Sequence, residues 1–252
     1  MGRRALQGKT ALITGAGKRI GRETALAFAA VGANVVIHYR NSSDEAESLC
    51  DTVRRLGVQA WPLQADFAQP HDEETLFAQA VEAAGPIDIL VNSASIFPLN
   101  TLATMQFADL MENMRINAWA PYALGRAFAQ QAHDGAIINL LDSRIKGYDW
   151  RHVAYMMSKH VLAQLTRMMA LEFAPKITVN GVAPGLILPP PGKDHSYIDN
   201  MTSTVPLLRH GAPEDIADAI IFLAQSDYIT GDVIYVDGGR HLQEYLSGPN
   251  PH

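Results

Sequence analysis

Short apolar runs alternate along the chain with longer stretches whose apolar positions recur at helical spacing, and these two periods set the predicted elements. Residues 10–14, 34–39, 59–64, 87–92, 136–141, 177–183 and 233–236 read as strands. Between them, 20–31, 42–56, 72–84, 107–117, 121–132, 151–173 and 213–224 read as helices. Gly32 closes the first helix, and Ser42 with Glu45 forms a capping box for the second. Seven strands separated by helices predict one α/β domain over 1–252: a doubly wound sheet of about seven parallel strands with helices on both faces. Right-handed crossovers then place any ligand at the carboxyl ends of the strands. The one long irregular stretch, 185–212, contains Pro189-Pro190-Pro191-Gly192. A loop of that length is expected to cover a substrate, the alternative being a surface insertion.

Composition narrows the class. With 252 residues, 48% hydrophobic and 18% charged, the chain can bury a sizeable core and is not disordered. A net charge of −6 without a basic stripe gives no reason to expect nucleic-acid binding. The absence of any apolar run near 18 residues, and of an apolar leader after Arg3 and Arg4, predicts a cytoplasmic protein with no membrane partner. Cys50 is alone and expected to pack in a helix, and nine scattered histidines suggest no metal site.

Four segments carry candidate chemistry. Thr14-Gly15-Ala16-Gly17-Lys18-Arg19-Ile20-Gly21 joins the first strand to the first helix, where backbone N–H groups and the helix dipole favour a pyrophosphate. His38-Tyr39-Arg40-Asn41-Ser42 ends the second strand with no carboxylate to hold two ribose hydroxyls. Arg40, Ser42 and Lys18 suit a 2′-phosphate there instead. Asn92-Ser93-Ala94-Ser95 ends the fourth strand, with Phe97 two residues on. Tyr155 and Lys159 share one helix face, so that the ammonium can draw the phenol's pKa from about 10 toward working pH.

Together these segments resemble the short-chain dehydrogenase/reductase family, with its Rossmann-like fold, over nearly the whole chain. Thirteen positions before Tyr155, where that family usually has serine, stands Asp142. With Arg19 in place of a third turn glycine, and with Ser95 and Phe97, this narrows the resemblance to the pteridine reductases. The resemblance implies that Tyr155 donates the proton, that Lys159 lowers its pKa and binds the nicotinamide ribose, and that Asn117 holds a relay water. It implies NADPH as cofactor, bound by Gly15, Gly17, Lys18, Arg19, Ile20, Gly21, Tyr39, Arg40, Asn41, Ser42, Asp66, Asn92, Ser93, Ala94, Pro184 and Gly185. Arg19, Ser95, Phe97, Asp142 and Tyr155 would face the substrate, with Phe97 stacking on a flat ring.

A carboxylate at Asp142 repels the oxyanion of a reacting ketone but suits an imine nitrogen and amidine-like N–H donors, both present in reduced pterins. Ser143 competes for the serine position through a one-residue bulge. The expected activity is NADPH-dependent reduction of a dihydropterin, extending to dihydrofolate. The alternatives are a ketone- or acyl-thioester-reducing relative and a weakly catalytic cofactor-binding protein. By family habit a homotetramer is expected, paired through the helix at 151–173. The tail, 243–252, following Arg240 and His241, is expected to reach a neighbour's substrate pocket, or else to be a frayed end.

Overall fold

The computed structural model of the protein describes residues 4–190 and 192–243. In chain order its elements are β1 (Thr10–Ile13), α1 (Arg19–Ala30), β2 (Asn34–Tyr39), α2 (Ser43–Arg55), β3 (Ala60–Gln64), α3 (Asp72–Ala84) and β4 (Ile89–Asn92). After these come α4 (Phe107–Met114), α5 (Ala120–Gln130), β5 (Gly135–Leu140), α6 (Val153–Glu172), β6 (Ile177–Pro184) and α7 (Ser196–Asp199). The described chain ends with α8 (Pro213–Gln225), β7 (Val233–Val236) and α9 (Arg240–Gln243). All seven strands are parallel, in the order β3-β2-β1-β4-β5-β6-β7, so the predicted single doubly wound sheet is the observed one.

Both faces of that sheet are covered, which is why its strands read as continuous apolar runs. Ala11, Ile13, Val35, Ile37, Ile89, Val91, Ala136 and Ile138 point to one side and meet Phe28, Leu49, Val53, Ile216 and Ile220 from α1, α2 and α8. Leu12, Val36, Leu90, Ile137 and Val179 point to the other and meet Leu76, Leu124, Phe128 and Met169 from α3, α5 and α6. The alternation is the two-residue period of a pleated strand, and it leaves the strand ends free to carry polar side chains.

Three local departures from the sequence reading have physical causes. The helices expected at 107–117 and 121–132 form one run through a π-helical turn, Arg115–Trp119. Pro121 offers no N–H to the carbonyl four residues back, that of Asn117, and the helix widens there. The Ser42–Glu45 capping box does not form: Ser42 gives no side-chain cap, and Glu45 instead pairs with Lys18 at 2.6 Å. The 185–212 stretch is not bare loop either. It holds α7 and a 3₁₀ turn, Thr202–Thr204, and packs Leu186, Ile198 and Val205 into a small cluster of their own. Among the described residues, no helix is long and apolar enough to cross a membrane and no histidine, cysteine and carboxylate cluster suits a metal. Cys50 is buried, and burial pushes its thiol up to about 11. The tail expected at 243–252 lies, beyond Gln243, outside the described residues.

One buried polar group ties the first turn to the sheet. His38 on β2 accepts the Gly15 N–H through Nδ1 at 3.0 Å and donates Nε2–H to the Ala65 carbonyl at 3.1 Å, while its ring stacks on Phe67 at 4.6 Å. Only the neutral Nε2–H tautomer satisfies both bonds. Burial pulls its pKa from 6.5 down to about 4. Below about pH 6.5 the unfolded chain therefore binds a proton that the folded chain refuses. Stability is full above that pH and falls as pH drops toward 4, by roughly 3 kcal/mol for this group. Urea midpoints of the parent and His38→Gln should diverge in slope over this window, with the variant flatter; identical slopes would show that His38 titrates alike in both states.

Candidate active site

At the carboxyl ends of β1, β4, β5 and β6 lies a cleft of about 490 Å³. Its walls are Gly15, Lys18, Arg19, Ile20 and Gly21 from the first turn, Ser93, Ala94, Ser95 and Phe97 after β4, and Leu140, Leu141, Asp142 and Arg144 at β5. Tyr155 and Lys159 enter from α6, and Pro184, Gly185, Ile187, Leu188 and Pro190 from the chain after β6. A second hollow of about 630 Å³, between Pro206–Gly211 and Tyr235–Gly239, contains none of the predicted site residues.

The turn into α1 is shaped by close backbone approach. A Cβ on Gly21 would lie 2.4 Å from the Gly15 carbonyl oxygen, and one on Gly15, at φ +65°, 2.9 Å from the Ala94 Cα. Arg19 occupies left-handed backbone at φ +57°, a conformation that favours glycine. Its guanidinium crosses to the Pro189 carbonyl at 2.8 Å and so binds the turn to the 185–212 segment. The first turn of α1 carries no acidic side chain, and Lys18 at its N-cap gives no side-chain cap.

Several predicted cofactor residues stand apart from this cleft. Gly17 abuts Ser42, whose Oγ would be 2.5 Å from an added Cβ. Tyr39, Arg40, Asn41 and Ser42 end β2 beyond the cleft's rim, with Arg40 and Asn41 exposed. The Asp66 carboxylate accepts the Ala68 N–H at 3.1 Å. Asn92 turns into the sheet, donating to Asn139 Oδ1 at 2.8 Å, and Asn139 in turn donates to Thr166 on α6 at 2.9 Å. It braces β4, β5 and α6 and does not face the cleft. Asn117, fully buried in the π turn, spends its side chain on protein partners: Ser95 Oγ and the Ile96 N–H donate to it, and it donates to Ile96 and Ser158.

The polar floor is built from β5 and α6. Asn100 Oδ1 accepts the Ala154 N–H at 2.9 Å, capping α6 from a distant segment and fixing Tyr155 in its first turn. The Tyr155 hydroxyl donates to Asp142 Oδ2 at 2.9 Å. The residue beneath the phenol is thus Asp142; Ser143 is buried and starts a 3₁₀ turn, Ser143–Lys146. Within that turn comes a residue that the sequence reading passed over. Arg144 donates its backbone N–H and Nε to Asp142 Oδ1, each at 2.9 Å, and Nη2 to Oδ2 at 2.7 Å. Its Nη1 meets Asp149, which also bonds His152 Nδ1 at 3.0 Å. Both oxygens of Asp142 are fully subscribed, so in this state it holds Tyr155 and does not offer itself to ligand N–H groups.

These contacts set the protonation states. Burial alone would raise Asp142, but the charge and hydrogen bonds of Arg144 hold it below the usual carboxylate range. Burial likewise opposes Arg144, and Asp142 more than compensates, raising it. Tyr155 moves opposite to the sequence expectation: burial, then the Asp142 charge, drives the phenol well above 10. Lys159 does not counter this. Its ammonium donates to the Leu140 carbonyl at 2.7 Å, 5.7 Å from the centre of the Tyr155 ring, and burial brings it down to about 8. Phe97 is also less free than expected, because His152 stacks on it at 3.7 Å and Tyr155 meets it edge-on at 4.6 Å.

Comparison with known proteins agrees with this geometry. A family model described as enoyl-(acyl carrier protein) reductase matches residues 15–241. The L-rhamnose 1-dehydrogenase (NAD(P)(+)) of Sphingomonas sp. (strain SKA58) is 33% identical over 94% of this chain and 98% of its own length. The 3-oxoacyl-[acyl-carrier-protein] reductase FabG of Staphylococcus epidermidis is 34% identical over 93% and 99%. In structure, the FolM alternative dihydrofolate reductase 1 of Brucella canis, crystallised with NADP, superimposes with a TM-score of 0.91 at 29% identity, covering 98% of both chains. The family model and the relatives cover nearly the whole chain, and the solved structures share its fold: this chain belongs to the short-chain dehydrogenase/reductases and is an oxidoreductase.

Proposed function

We propose that the protein is an NADPH-dependent reductase of a dihydropterin, with Tyr155 as proton donor. The observation that carries the reading is the Asp142 carboxylate under the Tyr155 hydroxyl at 2.9 Å. Arg19, Ser95 and Phe97 in the same cleft support it, as does the likeness to the FolM protein crystallised with NADP.

The glycine turn fits a dinucleotide. Gly15 and Gly21 let the turn fold tightly where a Cβ would strike the Ala94 or Gly15 backbone, and the uncapped N-terminus of α1 has no acid to compete with a pyrophosphate. When bound, the nicotinamide supplies the hydride. The chain's own part is to hold and move a proton. With its pKa raised, the Tyr155 hydroxyl is fully protonated at neutral pH, the form a donor needs. The single O–H proton, held on Asp142 in this state, turns to the ring nitrogen of an imine; the iminium cation so formed is favoured beside the carboxylate and would be neutralised by hydride at the adjacent carbon. Reducing a ketone would instead develop negative charge on oxygen beside a fixed carboxylate, which raises that barrier. Lys159, which burial brings down to about 8, would hold the ribose and restore the phenol's proton. In the cell we place the enzyme in the cytoplasm as a homotetramer. Exposed Met157, Met168 and Leu171 on α6 and Phe107 and Met111 on α4 supply the apolar surface for pairing.

Similarity to FabG and the sugar dehydrogenase favours ketone reduction as a second reading. Parallel NADPH-oxidation assays separate the two: kcat/KM for dihydropterin is expected to exceed that for a 3-oxoacyl thioester by at least about tenfold. Asp142→Ser should reverse that order. A parent enzyme that prefers the thioester refutes the pterin assignment.

Lys18, beside the end of β2, is already paired with Glu45 at 2.6 Å across an exposed surface. A 2′-phosphate at Lys18, Arg40 and Ser42 must share Lys18 with that carboxylate. Glu45→Gln should tighten NADPH binding by about two- to fivefold at low salt and leave NADH unchanged. Equal tightening of both cofactors would place the phosphate elsewhere.

A further inference from the structure

We propose that Arg144 is a positioning residue for the proton donor: it clamps Asp142 so that Oδ2 stays aimed at the Tyr155 hydroxyl, and Asp149, His152 and Phe97 lock the clamp to the cleft wall. This rests on the reading of Asp142 and Tyr155 just given. The contacts close on themselves. Tyr155 donates to Asp142, Asp142 accepts a forked pair from Arg144, and Arg144 pairs with Asp149. Asp149 bonds His152, His152 stacks on Phe97, and Phe97 meets the edge of Tyr155. The Arg144 guanidinium also lies 5.2 Å from the centre of the Phe97 ring and 6.0 Å from that of Tyr155. Side-chain exposure is only 20% for Arg144, 13% for Asp142 and 10% for Asp149, so water cannot replace these partners cheaply.

The fork decides orientation as well as charge. Bonds from Nε to Oδ1 and from Nη2 to Oδ2 fix the carboxylate plane, which a single point charge does not do. Without the Arg144 side chain, Asp142 keeps only the backbone N–H of residue 144 and the Tyr155 hydroxyl, with Lys159 further off, and has no counter-ion against it. A buried carboxyl lacking its counter-ion takes up a proton and becomes a donor. It would then point its own O–H at Tyr155 and compete for the direction in which the phenol gives its proton.

The test uses Arg144→Met and Arg144→Lys in the full chain, with NADPH titration as the check on folding. The first arm needs no substrate. The melting deficit of Arg144→Met should grow from pH 5 to pH 8, because the stranded carboxylate is charged only at the upper end. The titratable groups facing the clamp are Asp142, Asp149, His152, Tyr155 and Lys159, all retained in both variants. A deficit independent of pH would mean that Arg144 only packs, and would overturn the proposal. In the second arm, kcat at neutral pH should fall roughly tenfold or more, with the acid limb of its pH profile shifted upward and NADPH binding within twofold of the parent. Arg144→Lys should restore the position of that limb but only part of kcat. In an Asp142→Asn background, Arg144→Met should cost nothing further; multiplicative losses would show that Arg144 acts independently of Asp142. A parent without dihydropterin turnover would sink the pterin reading alone, and the melting arm would still decide the clamp.

Discussion

A carboxylate can sit beneath a buried phenol here only because a guanidinium lies against it. Asp142 is nearly dry, and an ion stripped of water in such a place costs several kcal/mol unless it is paired and hydrogen-bonded. Arg144 supplies three of its four bonds, and Tyr155 the fourth. The pairing is local in the chain. The Asp142 side chain accepts the Arg144 N–H, which starts the 3₁₀ turn, and that turn swings the guanidinium back over the carboxylate that began it. Strand β5 delivers the acid, the capped start of α6 delivers the phenol, and both elements are held by the covered sheet between them.

A second constraint is strain at the glycine turn. Arg19 sits at φ +57°, where a β-carbon costs on the order of 1 kcal/mol or more. Glycine would relieve it, but glycine has no guanidinium to reach the Pro189 carbonyl. The residue thus joins the glycine turn to the 185–212 segment, and the strain is held in the wall of the cleft.

The architecture was legible because its physics is periodic. Strands buried on both faces read as apolar runs, and the helices between them show one apolar stripe, so strand number and sheet type followed directly. The Tyr155–Lys159 spacing and the turn glycines were equally plain, since each is fixed by local geometry. What stayed hidden depends on contacts between distant segments. Asn92 looks like a ligand residue from its place at a strand end, yet it turns inward to Asn139. Glu45 has capping spacing but finds a cation across a turn. His38 lies in an apolar strand and gives no sign that it holds the Gly15 N–H. Arg144 is one arginine in a loop, and the only available hint was its position two residues after an acid replacing a neutral hydroxyl. A buried charge of one sign calls for another nearby, and that search would have found it.

The proposed proton transfer requires Tyr155 and Asp142 to act as one unit on a ring nitrogen. A crystal structure of the protein with NADP⁺ and a pteridine such as methotrexate tests this most directly. The pteridine is expected in the cleft beside Phe97, with a ring nitrogen within ~3.2 Å of the Tyr155 oxygen and the Asp142 carboxylate still beside the phenol. A pteridine bound away from Tyr155, or an Asp142 carboxylate turned wholly to Arg144 and released from the phenol, would contradict it.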